Sequence, residues 1–387
     1  MNKLIGIFSG FLIMFNAFGQ IEYSDLSLNT ITTAVPFLLI APDSRSGAMG
    51  DVGVATSPDV NSIHWNPAKL AFTSQDIGAS VSYVPWLRAL VSDINLSYVT
   101  GYRKLDENQA VGLEMRYFSL GDITFTDKVG NTLGQYKPHE LAFGGSYARK
   151  LSDQFSLAIS GRYIYSNLTG GQLAGGIETV AGTSIASDLA GFYTKSVRMI
   201  GKDIDLAVGL NISNIGAKVR YTETSDQDFI PINMRFGTSL GTEIDEYNKI
   251  SLAIDFNKLL VPTPPIYDED GAILAGKDDN VGVVSGIFQS FGDAPGGLKE
   301  EIREINYSIG SEYWYNNQFA IRGGYFFEHE TKGARSFFTF GSGIKYSAFI
   351  LDFSYLINAT VSAGATNPLA NTMRFSMTWN FGEIEMN

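Results

Sequence analysis

Residues 373–381 read MRFSMTWNF, and in this stretch apolar and polar side chains alternate without interruption. The apolar set is Met373, Phe375, Met377, Trp379 and Phe381. An arginine, a serine, a threonine and an asparagine occupy the positions between them. Successive side chains of a β-strand point to opposite faces, so the stretch predicts a strand with one apolar face and one polar face.

The same two-residue period recurs along the chain from about residue 77 and predicts about fourteen strands. The predicted strands cover residues 77–84, 93–104, 109–120, 139–150, 154–166, 188–200, 203–216, 231–244, 248–258, 304–316, 318–329, 336–346, 348–358 and 371–382. All are longer than the about 5 to 6 residues typical of strands in soluble sheets. Long strands with a single apolar face favour a membrane-spanning barrel over a soluble sandwich.

The polar faces of these strands carry charged side chains near the strand centres. These residues are Glu114, Arg116, Arg162, Arg235, Asp255, Glu312, Arg322, Lys345, Asp352 and Arg374. Small residues such as Gly144, Gly209 and Gly237 share the same faces. An interior in which opposite charges pair and a plug fits is typical of a barrel lumen.

The connections between the predicted strands alternate between short and long. The short ones are residues 105–108, 151–153, 245–247 and 317, and the long ones are 85–92, 121–138, 167–187, 217–230, 259–303 and 359–370. Outer-membrane barrels have short periplasmic turns and longer extracellular loops, so the pattern places both termini in the periplasm. We therefore expect an all-β fold, a transmembrane antiparallel β-barrel formed by residues 77–387 with an N-terminal plug or hatch segment.

The first nineteen residues have the features of a secretory signal peptide. Lys3 supplies the positive start, residues 4–15 are apolar, and Ala17 and Gly19 are the small residues that a signal peptidase reads. The alternative is a membrane anchor helix, but the apolar run is short for a span of about 20 residues. We expect cleavage after Gly19, export, and location in the cell outer membrane.

Residues 20–76 lack the alternation and are interrupted by several prolines. Ile63, Trp65, Leu70 and Phe72 provide apolar anchors that a solvated segment does not need. We expect this region to fold as a plug in the lumen; the alternative is a disordered periplasmic lead. The residues assigned to the plug are Trp65, Asn66, Pro67 and Ala68.

Few residues in this chain are suited to catalysis. It has no cysteine and only three histidines, His64, His139 and His329, none within a recognisable hydrolase or metalloprotease motif. The net charge of -12 argues against a nucleic-acid partner, which requires a basic surface. The sequence therefore predicts a protein that is not an enzyme and binds no cofactor or catalytic metal.

The longest predicted loop, residues 259–303, has two different halves. Its first half contains the acidic stretch 268–270 and the pair Asp278 and Asp279. Their spacing matches no EF-hand loop, so acidic side chains exposed to solvent are favoured over a calcium site. Its second half is apolar, which is unusual for an extracellular loop. This half either packs on the barrel mouth or docks into a partner. The candidate docking residues are Val283, Val284, Ile287, Phe288 and Phe291.

A resemblance to a known family rests on several stretches near the N-terminus. They are residues 35–45 (VPFLLIAPDSR), 47–51 (GAMGD), 55–59 (ATSPD), 64–70 (HWNPAKL), 85–87 (PWL) and 93–96 (DINL). Together they resemble the PorV family, outer-membrane components of the type IX secretion system of the Bacteroidetes, along the whole mature chain. The shorter motif Asn66-Pro67-Ala68 is shared with the wider FadL-like fatty-acid transporters, which have a fourteen-stranded barrel with an N-terminal hatch.

The resemblance implies a function in protein secretion. PorV-like proteins bind cargo that carries a C-terminal signal domain, collect it at the translocon barrel and deliver it to the surface attachment complex. The implied partners are therefore the translocon barrel, the attachment-complex subunits and cargo, beside outer-membrane lipid and lipopolysaccharide. Two alternatives remain open: a FadL-type transporter of long-chain fatty acids or other hydrophobic compounds, and a passive porin.

Overall fold

The computed structural model describes residues 28–88, 91, 93–126, 129–171, 173–174, 177–199, 201–223, 227–359, 369 and 371–383. The predicted signal peptide, residues 1–19, lies outside these ranges.

Fourteen long strands form one closed antiparallel barrel. They are β1 (Gln75–Pro85), β2 (Asn95–Asp106), β3 (Gln109–Ser119), β6 (His139–Ser152), β7 (Phe155–Asn167), β10 (Gly182–Met199), β11 (Lys202–Gly216), β12 (Asn233–Glu243), β13 (Asn248–Leu259), β16 (Asn306–Tyr315), β17 (Phe319–Phe327), β18 (Ser336–Tyr346), β19 (Phe349–Asn358) and β20 (Met373–Glu383). Each strand pairs with its neighbours along the chain, and β1 pairs with β20, with Val81 opposite Met377, to close the barrel. The predicted barrel is confirmed.

The remaining elements are short. Three hairpins lie in the connections: β4 (Ile123–Thr126) with β5 (Thr132–Tyr136), β8 (Leu173–Ala174) with β9 (Ile177–Glu178), and β14 (Ile266–Tyr267) with β15 (Ile273–Ala275). The α-helices are α1 (Ser44–Gly47), α2 (Ser62–Trp65), α3 (Val283–Gln289) and α4 (Leu298–Arg303), and two 3-10 helices span Pro36–Leu39 and Pro67–Phe72. Among the described residues, no helix combines the length and the apolar character needed to cross a membrane.

The alternation in the sequence corresponds to the two faces of the barrel wall. In β20 the apolar residues Phe375, Met377 and Phe381 are exposed on the outside, whereas Arg374 and Ser376 are buried inside. The other strands follow the same pattern, with buried charged residues such as Glu114 and Arg322 on the inner face. The outer surface is therefore an apolar band suited to lipid, and the lumen is polar.

One strand differs clearly from its predicted bounds. We expected the sixth strand to begin at residue 188, but β10 begins at Gly182 and pairs with β7 from Ser166 onward. The added residues are mostly small or hydroxylated, so they have little apolar character from which a strand can be predicted. The ladder nevertheless continues through them, because backbone pairing with a neighbour does not require an apolar side chain.

The connections divide the barrel into two ends. At one end the turns are short, as in residues 107–108 between β2 and β3 and residues 347–348 between β18 and β19. At the other end lie the longer loops, including residues 260–305 between β13 and β16. We call these the short-turn end and the long-loop end.

Candidate functional site

The described residues before the first strand run through the barrel interior. Helix α1 contacts β18, β19 and β20, while the 3-10 helix Pro67–Phe72 contacts β2, β3, β6, β7 and β10 on other sides of the wall. Most side chains between residues 34 and 73 are buried. We call residues 28–74 the lumenal segment.

Trp65 is fixed from several directions at the centre of this segment. Its side chain is buried, its indole Nε1 donates to Asp43 Oδ1 at 2.7 Å, and the Arg235 guanidinium lies 5.0 Å from the ring centre. Its backbone carbonyl accepts from Asn211 Nδ2 on β11 at 3.0 Å. The side chain of Asp43 also accepts from the amide of Ser46 and caps α1. Trp65 thus links two helices of the lumenal segment to the wall.

The next three residues attach the segment to the adjoining strands of the same wall. Asn66 Nδ2 donates to the carbonyls of Val54 and of Gly191 in β10, each at 3.0 Å. Pro67 begins a 3-10 helix, a position at which its missing N–H costs no hydrogen bond. The carbonyl of Ala68 accepts from Ser156 Oγ on β7 at 2.7 Å. The structure therefore brings the four predicted plug residues together in the lumen.

Glycines on the inner wall let the backbone of the lumenal segment approach closely. A Cβ on Gly209 would lie 2.1 Å from the carbonyl oxygen of Val54, and one on Gly324 would lie 2.1 Å from the carbonyl carbon of Met49. Both distances are far below van der Waals contact. The small residues predicted for the polar faces therefore provide space for this segment.

Buried ion pairs fasten the segment to the wall charges. Arg45 donates to both carboxylate oxygens of Glu312, at 2.7 and 3.0 Å, and to Asp59 at 2.8 Å. Glu312 also accepts from Arg322, which pairs with Asp352 at 2.7 Å. Removing one partner of a buried ion pair leaves an uncompensated charge and costs about 3 to 5 kcal/mol. These contacts hold α1 against the barrel.

Two titratable groups of the segment are held in unusual environments. Burial, together with the guanidiniums of Arg116, Arg235 and Arg162, holds the pKa of His64 well below its ordinary value of 6.5. Burial also lowers the pKa of Lys69 to about 8. The Lys69 ammonium donates to the carbonyl of Gly53 at 2.7 Å and to Thr56 Oγ1 at 2.9 Å, so it joins two parts of the segment.

The apolar half of the longest loop forms α3 at the rim of the long-loop end. Val283 and Ile287 pack against an apolar cluster that includes Phe37 and Phe229. On the other side, Val284 is 67% exposed, Phe288 75% and Phe291 53%. The five predicted docking residues are thus divided, because two cover the barrel mouth and three face outward.

The second helix of this loop is tied down by a charge network. Lys258, at the end of β13, donates to Glu301 at 3.0 Å and to Glu304 at 2.5 Å. Glu304 also accepts from Lys332 at 2.9 Å and from Thr263 Oγ1 at 2.7 Å. All five residues are buried, so the loop is held to two other parts of the rim. Leu298 and Ile302 on α4 are exposed, at 64% and 52%.

The acidic half of the loop does not gather its side chains into a metal site. Within the ranges that the structure covers, no group of three or more His, Asp or Glu side chains is placed to hold a metal ion. Instead, Asp268 accepts from the backbone amides of Asp270 and Ala272 and shapes the turn of the β14–β15 hairpin.

Asp43, Arg45 and Lys69 each make several of the contacts above, although no pattern in the sequence distinguished them. Their only signal was a charge within a segment otherwise rich in alanine, glycine and proline. All three fall inside the stretches that carry the family resemblance.

The model of one protein family matches residues 23–266, more than half of the chain, and its description is type IX secretion system protein PorV. The chain belongs to the PorV family. It is therefore an outer-membrane component of the type IX secretion system, as the resemblance implied. PorV proteins are not enzymes and act with the secretion machinery and its cargo. No curated protein matches the chain.

Several solved outer-membrane proteins are similar in structure at low sequence identity. The toluene transporter TodX of P. putida is 12% identical with a TM-score of 0.49, over 89% of this chain and 99% of that one. The Ralstonia pickettii toluene transporter TbuX is 12% identical with a TM-score of 0.47, over 88% and 98%. A Pseudomonas aeruginosa FadL homologue is 11% identical with a TM-score of 0.45, over 92% and 100%.

Proposed function

We propose that this barrel is a carrier for secreted proteins: it binds cargo with a C-terminal signal domain at the type IX translocon and brings it to the surface attachment complex. The lumenal segment acts as its plug. The long-loop end faces the cell exterior, and the exposed apolar side chains of α3 and α4 form the docking surface. No step of this function requires a catalytic residue of the barrel.

The observation that carries this proposal is the outward apolar surface of the longest loop. Val284 and Phe288 are one turn apart on α3, Leu298 and Ile302 are one turn apart on α4, and Phe291 lies between the helices. Exposed apolar patches usually mark a contact site. Burying each Phe against a partner would contribute about 1.5 to 3 kcal/mol, the scale expected of a hot spot.

The way the loop is held supports a preformed docking surface. A Cβ on Gly286 would lie 2.7 Å from the ring of Phe229, so α3 rests directly on the rim. The buried network of Lys258, Glu301 and Glu304 holds α4. A loop that is already ordered pays less conformational entropy when it binds, which favours affinity.

The lumen favours a carrier over a transporter of hydrophobic compounds. Arg45, Glu312 and Arg322 form a buried ionic layer between the lumenal segment and the wall. On the other side of the barrel, Arg162 bridges Glu114 and Asp188 at 2.6 and 3.0 Å. A path for an apolar solute through these layers would have to separate the ion pairs or desolvate the solute beside them.

The test is affinity purification of the tagged barrel from its own membrane. We expect the double variant Phe288→Ala with Phe291→Ala to assemble and keep its heat-modifiable gel shift. It should nevertheless lose the co-purifying translocon subunits and leave uncleaved cargo in the periplasm. The matched control is Ile273→Ala with Leu274→Ala, which removes two exposed apolar side chains from the hairpin of the same loop. Partners that stay bound to the Phe variant, with cargo at the surface, would contradict the docking role.

A further inference from the structure

A recess with a volume of about 340 Å³ lies in the wall formed by β7, β10 and β11. Most of the side chains that line it belong to the outward-facing set of these strands, such as Leu157, Leu189 and Leu210, which are exposed. The recess therefore opens on the side of the barrel that faces lipid, away from the lumenal segment.

Gly191 creates this recess because it lacks a side chain within a row of large ones. Along β10 it lies between Leu189 and Tyr193 on the outward face. The residues opposite it are Leu157 on β7 and Leu210 on β11. A Cβ on Gly191 would lie 3.5 Å from Leu157 Cδ2, which is an ordinary contact, so the packing does not require glycine there. A glycine inside a strand often marks a place where a ligand approaches the backbone.

The wall around the recess is held in place from both ends. On the inner side, the carbonyl of Gly191 accepts a hydrogen bond from Asn66 Nδ2 of the lumenal segment at 3.0 Å. On the outer side, Tyr193 Oη donates to Gln154 Oε1 at 3.0 Å, which fixes the ring at the short-turn end of the recess. The recess is therefore preformed, and a ligand that fills it loses little binding energy to ordering the protein.

Two cations lie beside the recess toward the short-turn end. Lys195 is the next outward residue after Tyr193 on β10, about 13 Å along the strand from Gly191. Arg149 on β6 is opposite Leu157, so it borders the recess from the side. Both side chains are exposed, and no ion pair links either of them to another residue in the described ranges. Long cationic side chains near the end of a membrane-spanning strand reach the level of the lipid headgroups, while their carbon chains stay on the wall.

The apolar recess and the two cations together match the chemistry of a glycerophospholipid. An acyl chain fits an apolar recess that faces the hydrocarbon of the membrane. The phosphate of the same molecule fits Arg149 and Lys195, because guanidinium and ammonium groups bind phosphate through charge-assisted hydrogen bonds. Tyr193 lies between the two parts, as expected for an aromatic residue at the interface between hydrocarbon and headgroups.

We propose that this surface binds one glycerophospholipid of the leaflet at the short-turn end. One acyl chain fills the recess at Gly191, and the phosphate is held by Lys195 and Arg149. The inference goes beyond the proposed function and takes from it only the orientation, in which the short turns face the periplasm. A bound lipid stabilises the stretch of wall to which Asn66 anchors the lumenal segment, because a ligand of the folded state stabilises that state.

Native mass spectrometry of the detergent-solubilised full barrel measures the binding, with palmitoyl-oleoyl-phosphatidylglycerol as the probe. The comparison lipid is palmitoyl-oleoyl-glycerol, which has the same chains and no phosphate. We expect one phosphatidylglycerol per barrel at low lipid concentration, with an affinity about tenfold higher than that of the diacylglycerol. Equal affinities, or a broad distribution of bound lipids without a first site, would mean bulk lipid only and would overturn the proposal.

A substitution that fills the recess tests the position of the acyl chain. Gly191→Leu should lower the affinity for phosphatidylglycerol about tenfold, because the new side chain occupies the space of the acyl chain. The matched control is Gly161→Leu, at an exposed glycine of β7 whose added Cβ would have nothing within 4 Å and which does not line the recess. The heat-modifiable gel shift checks that each barrel has folded. If the folded Gly191→Leu barrel binds as well as the control, the assignment of the recess is wrong.

A second pair of variants tests the position of the phosphate. Lys195→Gln with Arg149→Gln should remove most of the preference for phosphatidylglycerol over the diacylglycerol. Arg103→Gln removes an exposed arginine from β2 at the same end of the barrel and should keep that preference. A preference that survives the double substitution overturns the assignment of the phosphate site.

Lipid A is the competing probe, because it carries phosphate and acyl chains but belongs to the outer leaflet. Weak displacement of phosphatidylglycerol by lipid A supports the proposed source of the lipid. Tighter binding of lipid A, with the same dependence on Gly191 and Lys195, overturns it in favour of lipopolysaccharide. Co-purification of translocon subunits is measured separately, so a barrel that binds its partners but no lipid contradicts this inference alone.

Discussion

Acid should loosen the lumenal segment through a single residue, His64. The imidazole is buried beside Trp65, its Nδ1 is in contact with the Arg116 guanidinium, and its Nε2 has no hydrogen-bond partner in the described part of the chain. Burial and the guanidiniums of Arg116, Arg235 and Arg162 hold the pKa of His64 well below 6.5. The packed segment therefore keeps this side chain neutral.

The direction of the effect follows from this lowered pKa. When the segment opens into water, His64 regains an ordinary pKa near 6.5. Near and below that pH the open state therefore binds a proton that the packed state does not bind. The stability that this group contributes to the packed state is thus complete well above pH 6.5 and falls as the pH drops through and below that value. The slope approaches about 1.4 kcal/mol per pH unit for one proton once the pH is well below 6.5, until the pKa of the packed state is reached.

Two carboxyl groups of the same segment act in the opposite direction. Burial raises the pKa of Asp43 and of Asp51, so the packed state takes up these protons at a higher pH than the open state does. Their contribution stabilises the segment as the pH falls. Comparison of the wild type with His64→Gln removes these contributions, because both proteins retain the two carboxyl groups.

Hydrogen–deuterium exchange of the amides of residues 62–70, corrected for the intrinsic effect of pH, reports the free energy of opening. From pH 6.5 to pH 5.5 the wild type should lose about 1 kcal/mol relative to His64→Gln, or about fivefold in protection, because the open state is already half protonated at pH 6.5. His139→Gln, which changes a histidine in the barrel wall, is the control and should behave as the wild type. The same pH dependence in the wild type and in His64→Gln would refute the reasoning.

Three further predictions concern the lumenal segment, the rim and the topology. Trp65→Ala removes a buried aromatic and should destabilise the segment by about 3 to 5 kcal/mol, seen as increased sensitivity of cells to large antibiotics. Lys258→Met leaves the buried Glu301 without a cation and Glu304 with Lys332 alone, so it should release α4 at a cost of about 3 to 5 kcal/mol, seen as faster proteolysis within residues 260–305. A cysteine at Asp278 should react with an impermeant thiol reagent on intact cells, whereas one at Glu107 should not; the chain has no cysteine of its own.

The barrel could be predicted from the sequence because the alternation of apolar and polar side chains that defines it is local to each strand. Every strand must place apolar side chains outward and polar ones inward, so each carries the two-residue period by itself. The short turns between paired strands mark the boundaries in the same way. The prediction failed at the start of β10, where residues 182–187 are mostly small or hydroxylated and Ile185 alone gives an apolar signal. Their strand conformation is imposed by pairing with β7.

The contacts of the candidate site could not be predicted from the sequence. The sequence identified Glu312 and Arg322 as lumenal charges, yet it could not show that Arg45 joins them, because the residues are far apart in the chain. The sequence also could not show which apolar residues of the longest loop pack against the rim and which are exposed. Val283 and Phe288 are both apolar in the sequence, and only the position of α3 on the rim packs the first against the apolar cluster and exposes the second.

The inward-facing arginines show the same limit most clearly. Nothing in the sequence distinguishes Arg235 from Arg322, since both are arginines on the polar face of a strand. The folded barrel places two carboxylates in ion-pair contact with Arg322, whereas none of the described carboxylates comes within ion-pair distance of Arg235. The outward and inward faces of each strand are thus determined by local alternation, which the sequence contains. The partner of each inward charge depends on which strands and which part of the lumenal segment meet across the lumen, and only the tertiary structure decides that.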